Sequence, residues 1–513
     1  MNEWKKDGRS DVVMVDIEGL VPENHLLRKV ERVMDYEWLY ERLAPYYCHD
    51  NGRKGTDPVV LIKMVLIQHM FGIPSLRQTH QRISDTLSYR WFLGYNLVEK
   101  IPHFATVSYA FCNRFPQELA EEIFEHVLNK AINNRMVDPS VIFIDGTHIK
   151  ASANKNKHKK EMVTKAAKEY SDRLFAEVNE DRVKLGKAPF EAEKYDDNNN
   201  NNVTLQEDND DNGSSNENNC NGDDNKNCNN EKQCQTKSSN KSQQVEKTVS
   251  TTDPDCGMFM KGEHERQFAY EAHTVCERHG FILDVEVTAG NVNDSVAWDI
   301  VYDRVIEKFS VDCATMDAGY KTFWIAKKMI EGGKIPLLPY TRSTRNKEEY
   351  RPDEYSYDEA TDTYTCPMGG VLRHTTTSRD GNRTYRTTPS KCVHCPNKEK
   401  CGANEKGQKV LTRHIWQKYI DFAEMARKSE RGKELYPKRK ETIERVFADA
   451  KEKHSMRYTQ HRGLPKVTQW VRLKFAAMNL KKLATWSENK LNFLLVFHPF
   501  MSFSHINHPR ACS

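Results

Sequence analysis

The stretch "VIFIDGTHIKASANKNKHKK", Val141 to Lys160, decides the fold. Four apolar residues run into a carboxylate, Asp145, and then into a cluster of lysines. A short apolar run bounded by polar residues reads as a buried strand. A carboxylate placed at its end is either an N-cap for whatever follows or a group held for chemistry. The same texture returns downstream, where "FAYEAHTVCER" and "FILDVEVTAGN" flank a His279-Gly280 link and predict a hairpin. A helix near "DSVAWDIVYDRVIEKF", a strand in "CATMDAGY", a helix near "KTFWIAKKMIEGG" and a strand in "KIPLLPYT" follow. Three strands and then alternating helix and strand predict a mixed α/β sheet.

Outward from that sheet the texture changes. Amphipathic runs such as "HLLRKVERVMDYEWLYERL" and "DPVVLIKMVLIQHMFG" predict an all-α module over residues 1–135. Within it, "SLRQTHQRISDTLSYRWFLG" and "HFATVSYAFCNRF" suit two helical hairpins compatible with helix-turn-helix DNA binding. The sheet is expected over 136–345. It is interrupted by a charged helical stretch near 160–190 and by an Asn-, Asp- and Ser-rich segment, 195–245, too polar to fold. A Cys-bearing insertion with short strands is expected over 346–415, the completing helices over 416–490 and a tail over 491–513. In "ELYPKRKETIERVFADAKEKH", Ile443, Val446, Phe447 and Ala450 fall on one helix face.

The 513 residues suffice for two to four units. The net charge of +4 conceals an otherwise basic chain, because Asp196 to Asp224 carries nine acids and no Lys or Arg. Such a chain favours a polyanionic partner. The N-terminal residues lack an apolar signal-peptide core, and "LNFLLVFHPF" is too short to span a bilayer, so a soluble, cytoplasmic, nucleoid-associated protein without a membrane partner is expected. Thirteen cysteines, an odd number, argue against a disulfide framework and for a metal site.

Three carboxylates stand out: Asp145 and Asp317, each closing a strand, and Glu444 beside the apolar stripe of a late helix. If the strands are neighbours, a helix packed across them brings the third acid within reach. Three such groups repel one another, and divalent metal bound through oxygen is the natural compensation. A metal pair so held suits phosphodiester cutting and joining.

"VIFIDGTHIKASANK", "AYEAHTVCERHGFILDVEVTAGNVND", "CATMDAGYKT" and "TIERVFADAKEKHSMRYTQHRG" together resemble the DDE transposases of bacterial insertion sequences, closest to insertion-sequence family eleven-eighty-two. The resemblance implies a ribonuclease-H-like core with Asp145, Asp317 and Glu444 as first, second and third acid. Two Mg²⁺ or Mn²⁺ ions per site are implied, with Asp145 bridging both. It further implies binding of terminal inverted repeats and target DNA, cleavage and strand transfer, and a homodimer in synapsis. The alternatives are a hydrolysing nuclease of the same fold and a domesticated DNA-binding protein. In the larger superfamily a Tyr, Arg, Glu, Lys signature surrounds the third acid. Lys451 stands at its distance from Glu444, two helical turns on, whereas Tyr436 and Arg439 each fall one position too early.

Basic residues flank each acid and are the candidate phosphate contacts: Lys150, Lys155 and Lys157, then Lys321, then Arg445, Lys451, Arg457 and Arg462. Cys366, Cys392, Cys395 and Cys401 are candidate zinc ligands, although only Cys392 and Cys395 form a Cys-x-x-Cys pair. The resembling family carries a similar Cys-bearing insertion. Trp324 and Trp416 read as core residues more readily than as platforms for an unpaired base.

Overall fold

The computed structural model describes residues 14–48, 55–164, 170–191, 244–261, 265–340, 350–351, 354–388, 392–404 and 407–497. Its centre is a mixed sheet of six strands: β1 (Val141–Lys150), β4 (Gly257–Lys261), β5 (Glu265–Glu277), β6 (Ile282–Ala289), β7 (Cys313–Met316) and β8 (Ile335–Leu337). The long β5 pairs with β1 on one side and with β4 and β6 on the other, all antiparallel. Strand β7 adds to β1 in parallel and β8 to β7 in parallel, giving the order β6-β5-β1-β7-β8. The central strands read as apolar runs because both faces are covered. Helix Asp294–Lys308 packs on β5 and β6, while helices Ile443–Glu452 and Leu464–Phe497 cover β1 and β6.

The hairpin and the alternating segments expected downstream of Val141 fall where the sequence pattern places them. The edge strand β6 is closed in an unusual way: buried Asn479 of the C-terminal helix accepts the Ile282 N–H at 3.0 Å and donates to its carbonyl at 2.8 Å. A side-chain amide thereby satisfies backbone groups an edge strand leaves open.

The N-terminal helices do not stand apart. Helix Pro58–Met70 starts on a proline after an Asp57 cap whose carboxylate accepts the Val59 N–H at 2.8 Å. It is buried all round, even Lys63, whose ammonium reaches Glu31 at 2.7 Å. Helix Leu119–Asn133 packs against Leu464–Phe497, and one apolar core runs from Leu27 through the sheet to Ala484. The C-terminal helix also passes the boundary expected at residue 490.

Two expectations need correction. Residues near 160–190 are not one helical stretch: β2 (His158–Thr164) pairs with β3 (Gln244–Ser250), in register from His158↔Ser250 to Thr164↔Gln244, and the helix is Tyr170–Lys184. A two-stranded stem thus brackets residues 165–243, the helix and the polar insertion together. The insertion itself lies outside the described residues as far as residue 243. The late helix is not continuous either. Helices Glu430–Leu435, Lys438–Glu441 and Ile443–Glu452 are separate, with Thr442 at φ −107° and ψ −84° breaking the last two.

The second insertion is a five-stranded antiparallel sheet, β9 (Ser356–Asp358), β10 (Thr363–Thr365), β11 (Val371–Thr377), β12 (Asn382–Thr387) and β13 (Val410–His414), in the order β13-β12-β11-β10-β9. Asp181 of the first insertion's helix binds Arg383 of β12 at 2.6 Å, so the two insertions dock on each other.

Candidate active site

Asp145 does not end β1. Pairing with β7 stops at Ile144↔Met316, but β1 continues to Lys150 along β5, with Asp145 opposite Thr274. The following glycine is therefore not a turn. A Cβ on Gly146 would stand 2.5 Å from Glu271 Oε1, so glycine is there to admit a neighbouring carboxylate. Asp317 follows Met316 on the adjacent parallel strand and also caps the short Ala318–Tyr320 turn, accepting the Gly319 N–H at 2.8 Å. The capping and site-forming readings are thus compatible in one residue.

Glu444 reaches this pair through Arg439. The guanidinium donates to Asp145 Oδ2 at 2.6 Å and to Glu444 Oε1 at 2.9 Å. On one continuous helix, residues five apart would point about 140° away from each other. The break at Thr442 turns Arg439 back toward Glu444, which removes the one-residue offset that made it look misplaced in the sequence. Tyr436 lies close enough to feel Arg439, Asp317 and Asp145, although burial is the main cause of its raised pKa.

Three further residues join the cluster. Glu271 and His273 stand on β5, opposite His148 and Gly146, and Asp294 opens helix Asp294–Lys308. Their ligand atoms lie within 4.8 Å of one another. Alternation along paired strands puts Asp145 and Thr274 on one side of the sheet and Glu271 and His273 on the other, with side-chain-free Gly146 between. The acids therefore wrap around the sheet at one point.

Their electrostatics show the strain of that arrangement. Burial, opposed by Arg439 and reinforced by Asp317, pushes Asp145 up to about 7. Burial followed by Asp294 and Asp145 pushes Glu271 up to about 8. Asp294 is raised by burial and by Asp317, and burial holds His273 down at about 4, a neutral imidazole whose Nε2 lies 3.0 Å from Thr288 Oγ1. A cluster that resists ionisation in this way is a recurrent mark of functional sites.

The basic candidates divide. Lys150, Arg457 and Arg462 are exposed and gathered from distant parts of the chain. The Lys150 N–H donates to the Arg457 carbonyl at 3.0 Å, and Arg462 Nε donates to the Ser152 carbonyl at 3.0 Å. Lys155 and Lys157 are exposed just beyond β1, and half-buried Lys451 lies on the Glu444 helix. Arg445 lines a cleft of about 370 Å³ with Arg278, Lys453, Lys481 and Lys482. Lys321 points elsewhere, its ammonium 3.2 Å from the Pro339 carbonyl and 3.4 Å from Glu424. Trp416 is core, 2% exposed, its indole N–H donating to Glu177 at 2.6 Å, and Trp324 donates to Asp299 at 3.0 Å. Cys366, Cys392, Cys395 and Cys401 all line one small cavity of about 20 Å³ in the second insertion.

Residues 365–484 match a family model described as a transposase DDE domain, and residues 15–112 match one described as "Transposase domain (DUF772)". Both matches are transposase domains. Together they support a DDE transposase, a description that implies an enzyme acting on DNA. The first match contains the four cysteines, Arg439, Glu444 and Lys451; the second lies in the N-terminal helices, and the sheet bearing Asp145 and Asp317 falls between them. No curated protein and no solved structure gives a significant match. No helix among the described residues is long and apolar enough to cross a membrane.

Glu271, His273, Asp294 and Arg439 were not singled out as site residues by sequence pattern. A Glu and a His two apart inside the apolar "FAYEAHTVC" were the available signal, since buried polar residues need a reason. For Arg439 the local signal was a near miss, one position too early for the Tyr, Arg, Glu, Lys signature, and its orientation depends on the break at Thr442.

Proposed function

We propose that this chain is the DNA transposase of an insertion sequence, with a ribonuclease-H-like core that cleaves and joins DNA at Asp145, Asp317 and Glu444. The observation that carries the reading is the Arg439 bridge, which reaches Asp145 across 294 residues of sequence and ties it to Glu444, with Asp317 at the end of the neighbouring parallel strand. The order β6-β5-β1-β7-β8 with its antiparallel hairpin supports the core assignment.

The donor set suits hard divalent cations, because it consists of carboxylate oxygens and a protein cation already sits between two of them. Asp145, Asp317 and Glu444 would hold Mg²⁺ or Mn²⁺, two per site, a pair that would activate the attacking oxygen and stabilise the leaving one. Arg439 holds Asp145 and Glu444 in place and, once displaced from between them, supplies a charge for a scissile-strand phosphate. Glu271 and Asp294 lie within 4.8 Å of each other and back Asp145 from the far side of Gly146. Lys150, Arg457 and Arg462 offer a continuous basic edge for the DNA backbone, with Lys155, Lys157, Arg445 and Lys451 beside it. The N-terminal helices would bind the terminal inverted repeats, and two copies would act together in synapsis.

The test is a labelled transposon end incubated with purified protein in Mg²⁺ or Mn²⁺. Cleavage and joining of the 3′ end to a second duplex are expected, and Asp145→Asn should abolish both while leaving end binding intact. Unimpaired cleavage by that variant refutes the assignment, and hydrolysis without joining would favour a nuclease.

A further inference from the structure

We propose that Cys366, Cys392, Cys395 and Cys401 form a structural zinc site that closes the open end of the second insertion's sheet. Nothing in the DNA chemistry requires it; three features of the insertion do.

The first is convergence. Cys366 sits in the turn after β10, and the other three lie on the loop between β12 and β13, yet all four are free thiols lining the same small cavity. Cys366 is built as a metal-binding knuckle. In Cys366-Pro-Met-Gly-Gly its N–H donates to the Gly370 carbonyl at 2.8 Å, Gly369 turns back with φ +75°, and the Gly370 N–H donates to Cys366 Sγ at 3.1 Å. A Cβ on Gly370 would stand 3.1 Å from that sulfur, a tight approach that glycine leaves open. Across the cavity Cys392-Val-His-Cys395 makes a second turn, with Cys395 N–H donating to the Cys392 carbonyl at 3.3 Å, and helix Lys398–Cys401 delivers the fourth thiol.

The second is charge. Lys409 is 5% exposed and lines the cavity. Its ammonium donates to the Cys401 carbonyl and lies 5.8 Å from the Tyr355 ring centre, and among the described residues it makes no ion pair. A buried ammonium needs a negative partner. Four thiolates around Zn²⁺ carry a net charge of about −2 and supply one. Among the described residues no carboxylate lines the cavity, and there the thiols are the groups that can supply negative charge.

The third is size. The sheet's own core is Tyr355, Tyr364, Leu372, Tyr385 and Leu411. A module with so few buried apolar side chains generally needs a metal or disulfide staple, and its cysteines form no disulfide.

Among the described residues no three of these sulfurs lie within 4.8 Å of one another, so metal uptake brings them closer together. Cys392 then gives up its hydrogen bond to Thr387 Oγ1, now 3.2 Å, and Cys401 its 3.5 Å contact with the Tyr355 hydroxyl.

The experiment is metal analysis of the full chain purified without chelator. About one tightly held zinc per chain is expected, lost in Cys366→Ser and in the Cys392→Ser/Cys395→Ser double variant, and kept in Cys48→Ser and Asp294→Asn. Cobalt(II) exchanged into the wild-type chain should show intense thiolate charge-transfer absorption with tetrahedral d–d bands, a readout that needs no variant to fold. Chain without stoichiometric zinc, zinc retained after loss of Cys366, or cobalt spectra lacking thiolate character would each overturn the proposal. DNA cleavage is not part of the readout, so the transposase assignment and the zinc site stand or fall separately.

Discussion

Replacing Asp145 by Asn tests the electrostatics of the acidic cluster before any DNA is added. In the folded chain Asp145 is pushed up to about 7 from an ordinary 3.8, chiefly by burial. A carboxyl whose folded value is raised contributes stability that is fully present below its unfolded value and lost as pH climbs through the folded one. Ionising Asp145 at pH 8 therefore costs the metal-free fold up to ~4 kcal/mol, at 1.36 kcal/mol for each tenfold change. The Asn side chain is close in shape and does not ionise, and Arg439 keeps its 2.9 Å partner in Glu444. In chelator at pH 8, urea denaturation should show Asp145→Asn more stable than wild type by about 2–4 kcal/mol, a gap that shrinks below ~1 kcal/mol near pH 4. Saturating Mg²⁺ should favour wild type, which gains ~2.7 kcal/mol at a hundred times Kd, while the variant has lost a ligand. A variant less stable than wild type at pH 8 in chelator, or a gap unchanged between pH 4 and 8, refutes the reasoning.

Gly146→Ala forces a Cβ to 2.5 Å from Glu271 Oε1 and should cost about 1–3 kcal/mol in urea denaturation, mostly recovered in Gly146→Ala/Glu271→Ala. Asn479→Ala uncovers the Ile282 N–H and carbonyl and should cost ~2–4 kcal/mol, measured the same way; a change under ~0.5 kcal/mol would show that water replaces the amide. His273, held down at about 4 against an ordinary 6.5, should stay neutral at pH 5.5 by imidazole NMR, its stabilising contribution fading only as pH falls through that window. Arg445→Ala and Lys451→Ala should each lower the salt slope of DNA binding by about 0.9, whereas Lys321→Ala, whose ammonium is turned to Glu424, should leave it unchanged.

Much of this was legible in the chain because strands and helices announce themselves by period. "VIFID", the paired strands around His279-Gly280 and the stripe Ile443, Val446, Phe447 and Ala450 are local patterns, and the structure buries that stripe. The same reading singled out Asp145, Asp317 and Glu444, each by its place beside such a pattern. The positions it missed depend on distances that no local pattern encodes. Glu271 belongs to the cluster because β5 lies beside β1 in one register and Gly146 leaves room for it. Arg439 belongs because a single backbone break at Thr442 undoes the helical phase that sequence counting assumes.

The sequence by itself determined the alternation of elements and singled out the acids beside their apolar runs, since hydrophobic period and turn chemistry act over a few residues. Only the tertiary structure decided which charges meet. Asp145 and Glu444 are bridged at 2.6 and 2.9 Å by a residue that looked out of place, while Lys321, close to Asp317 in sequence, faces away to Glu424. Ångström-scale electrostatics depends on strand register and helix breaks, which are settled by packing the whole core.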